Sequence, residues 1–216
     1  MDVSFIGSGN VATNMAAAFK KAGFNVLQIW SHTPENAAEL AGHLNASAIS
    51  SMKELKAADL YVLSIKDDEI INILPELNIG NGLIVHTSGA TGMEVFASSF
   101  ENYGVLYPLQ TFSKERAINM KDVPFCIEAN NEENLKTLKA VAKKVSLNVS
   151  EINSIERRKL HLAAVFACNF TNHMYALAEE LLENEQLDFN LLRPLIKETA
   201  EKAMVKLPKN VQTGPA

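Results

Sequence analysis

The amino-acid sequence predicts an α/β protein. A doubly wound, mostly parallel sheet occupies residues 1–152, and an all-helical C-terminal domain that reads as incomplete occupies 153–216. Three observations carry this. Strand-like and helix-like patterns alternate through about residue 150, the β-α-β rhythm of parallel sheets with helical crossovers. Leu60 to Ile65 (LYVLSI) is almost continuously apolar, as a strand covered on both faces should be. From Ser154 to Glu185 there is neither a convincing strand nor a proline, and apolar residues recur at helical spacing.

The elements follow in order. Asp2 to Ile6 is a β-prone run leading straight into Gly7-Ser8-Gly9-Asn10-Val11-Ala12, after which Thr13 to Lys21 reads as a helix. Asn25 to Ser31 is a second strand, and Pro34 to Leu44 a helix with Thr33 as N-cap and Pro34 at its first position. Ser51 to Glu54 matches a capping box opening a short helix. After the Leu60 strand, Asp67 and Asp68 favour a helix start. Leu83 to His86, Val105 to Tyr107 and Pro124 to Ile127 are further strands, Lys136 to Val145 is a helix, and Asn148 to Ser150 returns to the sheet. The domain boundary falls near Glu151 to Ser154. Ser154 to Glu185 then forms one long helix or two joined ones, Asn190 to Lys206 another, and Gln212 to Ala216 is a turn-rich tail.

The Gly-x-Gly-x-x-Ala motif gains its weight from lying between a strand and a helix. Gly7 permits the tight turn, Gly9 lets a pyrophosphate approach the backbone, and Ala12 keeps the helix close to the sheet. Ser8, Asn10 and Val11 complete a loop whose helix N-terminus offers N–H groups to phosphate. The chemistry this predicts is dinucleotide binding; the bland alternative is an ordinary glycine turn. Where NAD-binding folds place Asp or Glu on the ribose, the tip of strand two reads Trp30-Ser31-His32-Thr33. Two hydroxyls and an imidazole tolerate a 2′-phosphate better than a carboxylate does, so NADP is expected, with NAD as the alternative. Ser64, Ile65 and Lys66 end the next strand and are expected beside the ribose, although Lys66 with the two aspartates also reads as a solvated cap.

The Leu83 strand ends His86-Thr87-Ser88-Gly89, whose small residues suit close approach to a nicotinamide or substrate, with Ser88 orienting a carbonyl or relaying a proton. A polar loop and helix cap would have the same composition. There is no Gly-x-Ser-x-Gly elbow to suggest a hydrolase. In Tyr107 to Phe112 (YPLQTF), Gln110 and Thr111 are candidate substrate ligands on a loop fixed by Pro108; alternatively, Tyr107 and Phe112 simply cover the core. His161, Val165, Cys168, Asn169 and Asn172 fall on one face of a regular α-helix. That polar-interrupted face is either a packing or dimer seam or the closure of a substrate pocket, in which case His161 and Asn169 join Ser88 as catalytic residues. His161 and His173 have no carboxylate or cysteine at ligand spacing, so no metal site is expected.

Composition narrows the classes. A 216-residue chain that is 47% hydrophobic can build a core. A net charge of −5 without a basic block argues against nucleic acid as a partner. Cys126 and Cys168 lack metal-ligand spacing and fit a reducing compartment. The first apolar run is too short for a secretory signal or membrane span, so a cytoplasmic location is expected.

Taken together, GSGNVA, LYVLSIKDDEI, HTSGATG, YPLQTF, HLAAVFACNFTNHMYALAEELL and RPLIKETAEKA…QTGPA resemble the Rossmann-like, DUF2520-type oxidoreductases across essentially the whole chain. These are relatives of F420-dependent NADP oxidoreductase, pyrroline-5-carboxylate reductase, prephenate dehydrogenase and the 6-phosphogluconate dehydrogenase superfamily. The resemblance implies an NADP-type Rossmann domain followed by a helical domain, commonly a homodimer. It fixes the class and leaves the reaction open. Two positions depart from the family pattern: Tyr107 stands where a histidine is usual, and His32 where an arginine is usual. The family also continues past the TGPA turn into further helices.

The expected activity is hydride transfer between NADP(H) and a small polar metabolite, the cofactor carrying the redox chemistry. The rival from another class is a dinucleotide-binding sensor acting through a protein partner. An S-adenosylmethionine methyltransferase fits less well, because strand two ends without an acidic residue for the ribose.

Overall fold

A computed structural model describes residues 1–113, 116 and 118–211. The tail expected over 212–216 lies outside the described residues. Strands β1 (Asp2–Ile6), β2 (Asn25–Trp30), β3 (Ser47–Ile49), β4 (Leu60–Leu63), β5 (Leu83–His86), β6 (Tyr103–Pro108), β7 (Phe125–Ala129) and β8 (Val149–Glu151) form one sheet in the order β3-β2-β1-β4-β5-β6-β7-β8. All neighbours from β3 to β6 pair in parallel. Chain order reverses between β1 and β4, the switch point at which open α/β sheets leave a crevice beyond their strand ends.

Helices α1 (Asn10–Lys21), α2 (Pro34–Leu44), α3 (Asp67–Ile73) and α4 (Glu132–Val145) alternate with the strands. Burial explains the apolar strands. In β4, Leu60 and Val62 join a core with Phe5, Met15, Phe19 and Leu138, while Tyr61 and Leu63 join a second core with Ile6, Ile70 and Phe96. A strand buried on both faces has no polar position to alternate with.

Several elements differ from expectation. β7 runs antiparallel to β6, pairing Tyr107 with Cys126, and β8 lies parallel to β7. Between β6 and β7 the described residues hold a three-residue 3-10 turn (Met120–Asp122) and no α-helix of the kind that usually carries a parallel crossover. The short strand β3 carries little apolar signal, with Ser47 and Ala48 exposed. Helix α1 starts at Asn10 rather than Thr13, because Gly9 itself takes the N-cap position. Thr33 occupies the N-cap position of α2 without a side-chain cap bond. The Ser51–Glu54 capping box forms, on a 3-10 turn.

The chain divides into two compact units, Met1–Ala164 and Val165–Ala216. The first includes helix α5 (Ser154–Ala164). The second holds a π-helical stretch (Val165–Phe170), α6 (Thr171–Asn184) and α7 (Arg193–Val205). None of these three segments has a buried residue, and Phe166, Leu181 and Leu195 are exposed. The π-helical stretch corrects one expectation. Its i→i+5 bonding breaks the 3.6-residue phase, so the face drawn through His161, Val165, Cys168, Asn169 and Asn172 does not continue as an α-helical stripe. Among the described residues, no helix is long and apolar enough to cross a membrane.

Candidate functional site

Beyond the strand ends lies a cavity of about 850 Å³, lined entirely by the first unit. It brings together Gly7, Ser8, Gly9, Asn10 and Val11; Ser31, His32 and Thr33; Ser64, Ile65 and Lys66; and Ser88 and His161. Asn169 belongs to the second unit, in the π-helical stretch, and is exposed.

The glycine loop is shaped by two different requirements. Gly7 has φ +122°, and a Cβ there would collide with the Ser64 carbonyl at the end of β4. The fold therefore demands glycine at this point. Gly9 has an ordinary φ of −74°, and a Cβ built on it would meet nothing within 4 Å. The space in front of Gly9 is thus left open by the protein. Behind it, α1 begins without a side-chain cap and without an acidic residue in its first turn. Open space over an uncapped helix N-terminus fits a pyrophosphate.

The neighbouring strand ends frame this loop. Gly7 N–H donates to the Trp30 carbonyl at 2.8 Å, and Ser8 Oγ donates to Ser31 Oγ at 2.8 Å, tying the loop to the tip of β2. Ser31 Oγ also accepts from Thr33 N–H at 3.3 Å. His32 stacks edge-on against Trp30, with ring centroids 4.6 Å apart, and its Nε2 lies 3.7 Å from Glu69. No carboxylate belongs to the β2 tip itself, but Glu69, from α3, supplies one nearby. Asn10 and Asn14 donate to the Phe112 and Ser113 carbonyls, so the loop after β6 is held against α1.

At the other end, Ser88 Oγ donates to Asp67 Oδ2 at 2.7 Å and accepts from the N–H groups of Ala90 and Thr91. Ser88 therefore makes a polar side-chain contact and closes a local turn, but it is not a helix cap: the 3-10 turn that follows (Met93–Phe96) has Gly92 at its N-cap position. His86 is fully buried beneath Ser88, and its Nδ1 accepts from the serine N–H at 3.2 Å. Burial, reinforced by the nearby Arg157 guanidinium, pulls its pKa down to about 3 and keeps the imidazole neutral.

Tyr107, at the end of β6, brings its hydroxyl within 2.9 Å of His161 Nδ1, the donor being set by the imidazole tautomer. Gly89 makes that pairing sterically feasible. A Cβ there would fall 2.6 Å from His161 Nδ1 and 2.8 Å from Tyr107 Cζ.

His161 is placed by a buried anchor one helical turn earlier. Arg157, fully buried, pairs with Glu128 of β7 at 2.5 Å and donates to the Thr91 carbonyl at 2.6 Å. Glu128 also accepts from the Ser154 N–H and hydroxyl, fixing the start of α5. Asp67, Glu69, Gly89 and Arg157 are contributors whose roles the sequence does not announce. Among the described residues, no group of three His, Cys, Asp or Glu side chains could hold a metal.

Two family models match: NADP oxidoreductase, coenzyme F420-dependent, over residues 2–89, and the domain of unknown function DUF2520 over 123–216. No curated protein matches the sequence. Among solved structures, a putative NADP oxidoreductase from Bacteroides fragilis is 44% identical, covering 99% of this chain and 84% of that one with a TM-score of 0.94. A Thermotoga maritima protein is 26% identical, covering 99% and 83% with a TM-score of 0.77. An imine reductase from Myxococcus stipitatus, solved with NADP+, is similar at the level of the fold. It is 16% identical, covering 100% and 80% with a TM-score of 0.67.

Proposed function

Because the chain belongs to the NADP oxidoreductase family that pairs an F420-dependent-type dinucleotide domain with a DUF2520 region, we propose that it transfers hydride between NADP(H) and a small polar metabolite. One observation carries the reading: the open glycine loop and the bonded Ser88 and His161 groups line the same cavity. In this reading the backbone of Gly7 to Val11 holds the pyrophosphate. Ser31, His32 and Thr33 take the adenosine ribose and its 2′-phosphate, with NAD as the weaker alternative. Ser64, Ile65 and Lys66 flank the remaining ribose, while Ser88 and His161 orient the substrate and handle its proton. Bound NADPH supplies the hydride.

Asn169 is assigned to the same task from its place in the sequence. The helical unit, with its exposed Phe166, Leu181 and Leu195, is assigned to contact with a second copy in a homodimer.

Trp30, the chain's single tryptophan, reports on cofactor binding. Titration with NADPH and NADH should change its emission, more strongly for NADPH at equal concentration. NADPH oxidation is then followed against a panel of small ketones, aldehydes, keto acids and cyclic imines. Turnover of one class supports the reading, and Asn169→Ala assayed on that substrate tests the asparagine. Failure to bind NADPH would remove the oxidoreductase proposal. Tight binding without turnover would favour a sensor.

A further inference from the structure

The oxidoreductase reading leaves open which atom meets the substrate's heteroatom. Ser88 orients the substrate rather than protonating it, since its hydroxyl donates to Asp67 and accepts two backbone N–H groups. We propose that Tyr107 is the acid–base residue that touches the substrate, with His161 behind it as the positioning residue that renews its proton. The site would then take a compound with a C=O or C=N bond, or the matching alcohol or amine. This rests on the oxidoreductase reading and adds the reacting atom to it.

Three observations converge on the pair. Tyr107 is 8% exposed, packed with Val105 and Cys126, and lines the cavity with His161. Its hydroxyl lies 2.9 Å from Nδ1, with the rings edge to face at 77°. Both rings crowd the Cα of Gly89, also a cavity residue, so the protein gives up a side chain at the end of β5 where the two groups meet. Rigid support comes from Arg157, whose buried pair with Glu128 holds α5 in place.

In the reducing direction the substrate carbon gains a hydride with its two electrons, and the π pair of C=O or C=N moves onto the heteroatom. The Tyr107 O–H bond breaks as its proton passes to that atom. The phenolate oxygen then takes the proton from Nδ1–H of a His161 imidazolium, leaving neutral imidazole. After product release, water returns a proton through the same hydroxyl to Nδ1. Oxidation of the alcohol or amine runs these steps backwards.

The test uses the full chain, Tyr107→Phe and His161→Asn, the latter keeping an amide nitrogen near the Nδ1 position but unable to carry a proton. NADPH affinity, read from Trp30 emission, should stay within about twofold for both variants, as every glycine-loop contact is retained. On the panel substrate, kcat should fall by roughly 10²-fold or more in each variant, the scale of a lost general acid, with KM moving less than about threefold. Independently of activity, the ¹⁵N ring signals of His161, identified by their absence in His161→Asn, should shift in Tyr107→Phe.

Turnover of Tyr107→Phe within about threefold of the parent, or unmoved His161 signals, overturns the proposal while leaving the oxidoreductase reading standing. If the parent chain fails to bind NADPH, or reduces no carbonyl or imine in the panel, that reading falls and takes this proposal with it.

Discussion

At the glycine-loop end of the cavity the helix N-terminus and the space before it are left open. Helix α1 has no side-chain cap, Gly9 faces empty space, and His32 and Glu69 stand exposed 3.7 Å apart. At the Ser88 end the polar groups are already bonded to one another: Ser88 to Asp67, Tyr107 to His161, and Arg157 to Glu128 and Thr91. An open set of donors suits a large anionic ligand that brings its own acceptors. A closed set suits chemistry, where groups must hold their geometry before the substrate arrives. The two ends should therefore fail differently: one in affinity, the other in stability and turnover.

The largest effect is expected from Arg157→Met. It leaves Glu128 without its buried guanidinium and frees the start of α5, and removing one partner of a buried pair costs about 3–5 kcal/mol. Urea denaturation should show that loss. Folded protein should still bind NADPH with near-parent affinity, because no glycine-loop contact involves Arg157. A loss below about 1 kcal/mol would mean that the pair is not the anchor described.

Next comes the acid limb of stability, set by His86. Its folded pKa of about 3 lies below the ordinary imidazole value of 6.5. Above that ordinary value folded and unfolded chains are both neutral, and stability is flat with respect to this group. Between the two values only the unfolded chain takes up the proton, so stability falls by about 1.4 kcal/mol per pH unit. Denaturation curves from pH 7 down to pH 4 should show the slope, and His86→Gln should flatten it. An unchanged slope in that variant would assign the acid sensitivity elsewhere.

At the open end, Gly9→Asp should fold normally, since a Cβ there meets nothing. It should weaken NADPH by at least tenfold, about 1.4 kcal/mol, through charge and bulk in the pyrophosphate space. Gly7→Asp would not make this distinction, because position 7 fails in folding first. The smallest effect is expected from His32→Arg. Its guanidinium can pair with a 2′-phosphate in bidentate geometry, but Glu69 competes for it. Preference for NADPH over NADH should rise a few-fold, read from Trp30 emission. Equal responses to both cofactors would leave Ser31, His32 and Thr33 as a turn and helix start only.

The open end was legible in the sequence for the same reason that it is open. Gly7 to Val11 is one contiguous strand–turn–helix segment, and Ser31 to Thr33 and Ser64 to Lys66 each follow an apolar strand that locates them. The closed end depends on partners far apart in the chain. Tyr107 and His161 are separated by 54 positions, and Ser88 and Asp67 by 21. Arg157 lies in Glu156-Arg157-Arg158-Lys159, where a buried guanidinium and solvated ones look alike. The reversal of β7 and the π-helical stretch at Val165–Phe170 are hidden in the sequence for a related reason. The first turns on the direction in which the chain re-enters the sheet, which the short apolar run from Pro124 to Ile127 does not encode, and the second on hydrogen bonding that leaves no residue pattern.

Gly89 turns this geometry into a constraint on sequence change. A methyl group at 89 and an imidazole at 161 claim the same volume, so neither position is free while the other is kept. Gly89→Ala should harm a chain that keeps His161 more than one that already carries His161→Ala, where only the 2.8 Å conflict with Tyr107 Cζ remains, a non-additivity typical of residues that share space. With Tyr107 crowding the same point, three sites scattered across the chain mutate as a single locus, and any lineage that rebuilds this end of the cavity must change them together.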